Sequence, residues 1–128
     1  MGQGRQIAKQ LVHFLRKSIA FGDGATGVVT VGTIPAGAVI LQTMSGVSVS
    51  QVFNWGAGNV IHVGTSADND LYGTSLSLAT LGFTPNDEAV SQIVAAYTTI
   101  YATHASSTTP ATTGTGEIII AYIPDTDG

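Results

Sequence analysis

The chain has 128 residues, enough for one domain with a modest hydrophobic core, and only 9% of them are charged against a typical value of about 25%. The four basic residues lie within the first 17 positions and the eight acidic residues follow them, so a segment of charge +4 precedes a body of charge -8. Because the body holds no lysine or arginine to bind a phosphate backbone or an anionic substrate, we expect neither a nucleic-acid-binding protein nor an enzyme, but a protein that contacts other proteins.

Residues 1–17 are predicted to form a basic N-terminal arm, and residues 18–128 the body. Apolar residues at positions 7, 11, 14 and 15 recur at helical spacing. The string from His13 to Phe21 is instead rich in strand formers, with two charges that would protect an exposed strand edge. We predict a strand for this second half, and a loose segment or short helix before it. The basic residues of the arm are Arg5, Lys9, Arg16 and Lys17.

The body reads as a series of short strands separated by turns rich in glycine and proline. Gly46 is interpreted as a β-bulge, and the glycines at 56 and 58 as the loop of a hairpin. Seven or eight short strands in one domain predict an all-β, single-domain β-sandwich or jelly roll with a basic N-terminal arm. The predicted strands are 28–34, 38–44, 47–53, 59–63, 97–103 and 117–124, and residues 74–81 are predicted to form a weak strand or a single helical turn.

One motif suggests a cofactor and is rejected. Gly22, Gly24 and Gly27 match the G-x-G-x-x-G pattern of dinucleotide-binding proteins. That pattern holds a pyrophosphate only between a strand and a helix N-terminus, and here a β-branched strand follows it. We therefore interpret these glycines as turn residues and expect no cofactor.

Metal and thiol chemistry also lack support. The chain has no cysteine, and its histidines (His13, His62 and His104) do not stand at metal-ligand spacings. Asp68 and Asp70 resemble part of a calcium loop but lack its glycine and terminal glutamate, so hydrogen bonds to their own backbone are expected instead. No apolar run approaches the roughly 18 residues of a membrane span, and no membrane partner is expected.

The binding residues predicted from the sequence are the four basic residues of the arm and Trp55. The arm is expected to dock on an acidic protein surface; a merely solvated charge cluster is the alternative. Four charges give little affinity for nucleic acid at physiological salt, and the acidic body opposes its approach. Trp55, beside Gly56, is interpreted as a packing or interface anchor.

Three segments carry a resemblance to a known group of proteins. The run Ala25–Ile40, with its Val-Gly-Thr-Ile-Pro-Ala-Gly-Ala, resembles a segment of small structural proteins of tailed-bacteriophage particles. Asn59–Asp68 looks like their N-V-L-x-V-G-T-S-x-D segment, and Pro110–Ile123 is similar to their closing strand. Glu117 stands where that closing pattern has alanine. Together the segments cover most of Ala25–Ile123, and they are turn and strand motifs rather than catalytic ones.

The resemblance implies a virion structural protein, and we expect a capsid decoration (cement) protein on the outer surface of the phage head. Its partners would be the major capsid protein and itself, as a homo-dimer or homo-trimer, and it would be made in the bacterial host cytoplasm. The resemblance implies no catalytic residue, cofactor or metal ligand. One alternative is a tail or fibre-base component. The other is a carbohydrate-binding β-sandwich module, with Trp55, Tyr72 and the Asp68/Asp70 loop as its contacts.

Overall fold

The structure is a computed structural model that describes residues 11–23, 27–54, 59–88, 93–105 and 111–124. Arg5, Lys9 and Trp55 lie outside the described residues, so the roles predicted for them stay predictions. The described part of the chain consists of strands, two 3-10 turns and loops, with no α-helix. The 3-10 turns are Phe21–Asp23 and Gln42–Met44. The strands are β1 (His13–Ala20), β2 (Val28–Ile34), β3 (Val39–Ile40), β4 (Gly46–Gln51), β5 (Val60–Gly64), β6 (Gly73–Ser77), β7 (Gly82–Pro85), β8 (Thr98–Ala105) and β9 (Thr115–Ile123).

The strands form two antiparallel sheets packed face to face. Sheet A has the order β1-β9-β4-β7, with β3 also paired to β9, and sheet B has the order β2-β8-β5-β6. The chain passes from one sheet to the other at every connection except β3–β4 and β5–β6. A five-stranded and a four-stranded sheet linked in this way make a jelly roll. The predicted all-β sandwich is confirmed.

Strand β1 resolves the two interpretations of the arm's second half. All eight of its residues pair with β9, from His13 opposite Tyr122 to Ala20 opposite Thr115. The strand prediction for this stretch is confirmed. Its apolar residues recur at helical spacing, but pairing with β9 determines its structure. Since His13–Lys17 belong to sheet A, an arm separate from the sandwich would have to end before His13.

Two predictions about local structure are wrong. Strands β4 and β5, on either side of the glycine-rich loop, lie in different sheets, so that loop is a crossing between sheets and not a hairpin. Gly46 is regularly paired to both neighbouring strands and is not a bulge. It is glycine because a Cβ there would lie 2.1 Å from the carbonyl oxygen of Thr84 on β7.

The core lies between the sheets and is almost wholly aliphatic. Full burial of one such side chain contributes about 1.5–3 kcal/mol relative to leaving it exposed. Phe53 is the largest fully buried side chain, and the imidazole of His104 lies beside its ring with centroids 6.1 Å apart. The fully buried aliphatic residues that meet between the sheets include Ile34, Val47, Ile61, Val63, Ile100, Ile118 and Ile120.

Ser45 links two short segments that share one edge of β9. The turn Gln42–Met44 lies between β3 and β4 and interrupts the pairing of this segment with β9. In this gap the Ser45 hydroxyl accepts a hydrogen bond from the Ala121 amide at 2.9 Å and donates to the Leu41 carbonyl at 2.8 Å. A buried amide that would lose its strand partner therefore keeps one, which avoids a cost of about 1–3 kcal/mol.

Replacing Gly114 tests the close packing that precedes β9. Gly114 has a φ of 146°, where glycine is favoured, and an added Cβ would lie 2.5 Å from the Phe53 ring. We expect Gly114→Ala to lower the free energy of unfolding by about 2 kcal/mol or more, through overpacking and backbone strain. Urea titration followed by fluorescence or circular dichroism measures the change.

The matched control is Gly22→Ala, because no atom lies within 4 Å of a Cβ at Gly22. This variant should stay within about 0.5 kcal/mol of the wild type. Equal midpoints for the two variants would contradict the packing described at Gly114.

Candidate protein interaction surface

Strand β9 is apolar on both of its sides. Ile118 and Ile120 are fully buried between the sheets. Because side chains alternate along a strand, Ile119 and Ile123 lie on the outer side of sheet A, where both are only half-buried. After Glu117 along the strand, the outer side of β9 is therefore apolar, whereas a sheet face exposed to water is typically polar.

The neighbouring strands extend this apolar character across the sheet. Val39 on β3 pairs with Ile123, and Ile93 forms a single β-bridge with Val39 on the far side. Phe14 on β1 pairs with Ala121, which places it on the same outer side as Ile119. Val12 continues the β1 register toward Ile123. We name this surface the apolar face, and it consists of Val12, Phe14, Val39, Ile93, Ile119 and Ile123.

The exposed fractions on the apolar face are large. Ile93 is 62% exposed, Phe14 50%, Val39 38% and Val12 37%. Scattered exposed apolar residues are ordinary, but a contiguous group on one sheet face marks an interaction site. Phe14 and Ile119 also line a shallow groove of about 230 Å³ together with Arg16.

The charges on the outer side of sheet A neutralise each other. Arg16 forms a two-pronged ion pair with Glu117, with its Nε 3.0 Å from Oε2 and its Nη2 2.8 Å from Oε1. The hydrogen bonds from the guanidinium to Glu117, together with the charge of that carboxylate, raise the pKa of Arg16. The surface therefore presents apolar groups and one closed ion pair to a partner.

Lys17 and Arg16 lie on opposite sides of β1. Lys17 pairs with the buried Ile118, although its side chain is exposed at the edge of the sandwich. In the described part of the chain Arg16–Glu117 is the ion pair observed, and Lys17 has none. An inward-pointing charge on an edge strand discourages pairing with another strand. The predicted basic group is thus divided between two sides of β1.

Acidic side chains near the β5–β6 loop are bound to the protein's own donors. The Asp70 amide donates to Asp68 Oδ1 at 3.4 Å, and the Thr74 amide donates to Asp87 Oδ1 at 2.9 Å. The Thr74 hydroxyl donates to Glu88. A hydrogen bond between the Asp68 and Asp70 side chains raises the pKa of Asp68. No group of three histidine, aspartate or glutamate side chains that could hold a metal ion occurs among the described residues.

The histidines have separate structural surroundings. His13 stacks on Tyr122 with ring centroids 5.6 Å apart. His62 Nδ1 accepts the Ser75 amide at 3.1 Å, which holds Ser75 at a φ of 54°, a conformation unusual for serine. His104 is buried in the core. His62 is therefore a partly buried histidine with a structural contact.

Tyr72 cannot be a surface contact for a sugar, as one alternative required. Only 6% of its surface is exposed, because the residue packs into the core beneath the β5–β6 loop. Its burial raises the pKa of the phenol. Local sequence does not signal this burial, because a tyrosine in a polar loop fits a binding residue equally well.

The outer side of sheet B carries a second concave surface, which we name the sheet B groove. It has a volume of about 410 Å³ and is lined by strands β2 and β8 on one side and by the start of the β5–β6 loop on the other. Its lining residues are Val28, Thr65, Ser66, Asn69, Tyr101 and Thr103. Local sequence patterns do not predict this groove, because it depends on residues from three distant segments.

The comparisons with known proteins bear on the fold. No protein-family model and no curated protein sequence matches the chain. The structure is similar to a chain in a solved structure titled "Cyanophage Pam1 capsid asymmetric unit", with a TM-score of 0.63 and 18% sequence identity. The match covers 88% of this chain and 84% of that chain, so the two are similar in length and share the fold almost from end to end. The described part of the chain contains no helix suited to crossing a membrane.

The buried phenol of Tyr72 predicts a stability loss in alkali. A tyrosine whose pKa is raised by folding contributes stability that is complete below the unfolded pKa of about 10 and is lost as pH rises through the folded pKa. We expect the urea midpoint of the wild type to fall above about pH 10 more steeply than that of Tyr72→Phe. The control is Tyr97→Phe, because Tyr97 is 75% exposed. A Tyr72→Phe profile parallel to the wild-type profile would contradict the burial of this phenol.

Proposed function

We propose that the protein is a capsid decoration (cement) protein of a tailed bacteriophage. It binds the outer surface of the assembled head, bridges major capsid protein subunits and associates with itself as a dimer or trimer. It acts by binding and not by catalysis. The similarity in fold and length to a chain of a phage capsid asymmetric unit supports a virion role.

The apolar face is the observation that carries the proposal. Interfaces have an apolar centre depleted of unpaired charge and a polar rim. The apolar face has such a centre, because its one ion pair, Arg16–Glu117, is closed within the chain. A bidentate ion pair keeps its hydrogen bonds when water is excluded, so docking leaves neither charge buried without a partner. We therefore assign the apolar face to the capsid shell.

A small gain for each copy suffices for such a function. A ligand that binds the assembled shell and not its free subunits shifts the equilibrium toward the shell by mass action. Burial of apolar surface contributes roughly 25 cal/mol for each Å², part of which offsets the cost of association. Many copies then act on one particle, so a few kcal/mol for each copy stabilises the whole shell.

A charge on the apolar face should prevent decoration. Ile93→Asp places a carboxylate where the proposed interface excludes water, and we expect at least a tenfold loss of affinity for particles that lack the protein. The matched control is Leu81→Asp, because Leu81 is also 62% exposed but lies on the β6–β7 loop, outside the apolar face. Bound copies are counted by quantitative electrophoresis of purified particles, and DNA release on heating reports stabilisation.

Each outcome of that comparison has a separate meaning. Equal binding by Ile93→Asp, Leu81→Asp and the wild type would remove the apolar face from the proposal. Equal release temperatures with and without the protein, with labelled protein on the tail, would replace the decoration function by the tail alternative. Sedimentation of the same variants tests self-association: a wild-type oligomer dissociated by Ile93→Asp alone would mean that a second copy, and not the shell, covers the face.

The basic residues predicted to bind an acidic protein surface can be separated by variants. Arg16→Gln leaves the Glu117 carboxylate unpaired at the proposed interface, so it should weaken particle binding at both low and high salt. The double variant Arg5→Gln/Lys9→Gln should bind several-fold more weakly at low salt, and wild-type binding should fall as salt rises. Binding of the double variant that equals wild-type binding at both low and high salt would show that these two residues are only solvated.

A further inference from the structure

We propose that the sheet B groove binds a neutral carbohydrate, such as uncharged hexose units of a polysaccharide. The groove has a volume of about 410 Å³, within the range of roughly 300–1,000 Å³ that small-molecule sites occupy. This site differs from the carbohydrate site suggested by the sequence, since it includes neither Trp55 nor Tyr72.

The floor of the groove is the outer side of sheet B. On one edge of β8, Thr103 pairs with Val28 of β2. On the other edge of β8, Tyr101 pairs with Gly64 of β5. Val28 is 63% exposed and Tyr101 is half-buried, so apolar and aromatic surface remains open to a ligand. A sugar ring has apolar C–H faces that such surface can cover.

The wall of the groove is a loop fixed against the sheet. A Cβ at Gly64 would lie 2.2 Å from the carbonyl oxygen of Asp68, so only glycine allows the loop to fold back this closely. The Thr65 amide donates to the Asp68 carbonyl at 2.8 Å, and the Asp68 amide donates to the Thr65 hydroxyl at 3.2 Å. These bonds leave Ser66 and Asn69 exposed beside the floor. A wall formed before binding lowers the ordering cost of a ligand.

The polar groups of the lining match hydroxyl groups. Ser66, Asn69 and Thr103 supply hydroxyl and amide groups that donate and accept, and their side chains make no hydrogen bond to the described residues. A purely apolar ligand would remove water from these polar groups without replacing their hydrogen bonds, which costs free energy. None of the described lining residues is a cation, and Asp68 and Asp70 of the same loop would repel an anion. Neutral, hydroxyl-rich ligands remain.

The groove and the apolar face lie on opposite outer sides of the sandwich. On the proposed function, a protein docked through sheet A turns sheet B away from the shell and leaves the groove accessible on the particle. That orientation rests on the proposed function, but binding by the isolated protein does not.

The test is ¹⁵N nuclear magnetic resonance titration of the isolated full chain. The probes are glucose, galactose and mannose, and then neutral and sulfated oligosaccharides carrying the same hexoses. We expect at least one neutral sugar to shift the amides of Val28, Ser66, Asn69 and Thr103 in a saturable way, and the sulfated oligosaccharides to bind more weakly. Tyr101→Ala should lower the affinity at least tenfold.

Two further variants keep the result interpretable. Asn69→Ala changes an exposed loop residue, so it should weaken binding without affecting folding. Tyr97→Ala removes a tyrosine that is 75% exposed and outside the groove, and should bind as the wild type does. Absence of saturable shifts with every neutral probe overturns the proposal, as does binding that Tyr101→Ala and Asn69→Ala leave unchanged. Loss of particle decoration in Tyr101→Ala, with no sugar binding by the wild type, would instead make the groove a protein contact.

Discussion

Strand β9 is hydrogen-bonded along both of its edges, and this double pairing organises the rest of sheet A. Strand β1 occupies one edge over its full length, while β4 and β3 share the other. The inner side chains of β9 contribute Ile118 and Ile120 to the core, and its outer side chains form the middle of the apolar face. One segment near the end of the chain therefore determines both the packing of the domain and the character of its outer surface.

The same strand explains why residues far apart in sequence meet on the outer side. Arg16 and Glu117 are 101 positions apart and lie on adjacent strands only because β1 and β9 are antiparallel neighbours. Ser45 supports the arrangement from the other edge, where its hydroxyl completes the pairing of Ala121 between β3 and β4. Side chains thus supply the contacts at the places where backbone pairing stops.

The sequence was sufficient for the fold class and for most strands, because β-branched residues and glycine-rich turns are local signals. It was insufficient for the partners of each strand. A short glycine-rich loop fits a hairpin and a crossing between sheets equally well, which is why the hairpin before β5 was predicted wrongly. The apolar face could not be predicted from local pattern either. The run of isoleucines in β9 indicates burial on both sides of the strand, but it does not indicate what covers the outer side.

The exposed outer side of sheet A connects the fold to the proposed function. A strand with isoleucine on both sides is typical of a sheet covered on both faces, yet among the described residues Phe14, Val39 and Ile93 on the outer side stay exposed. A partner molecule docked on this side would remove the exposed apolar area from water. In the sequence, Arg5 and Lys9 precede Val12 of the apolar face. On the proposed function, an apolar patch on the capsid shell would complement the apolar face, and acidic groups around that patch would attract the basic side chains predicted to bind it.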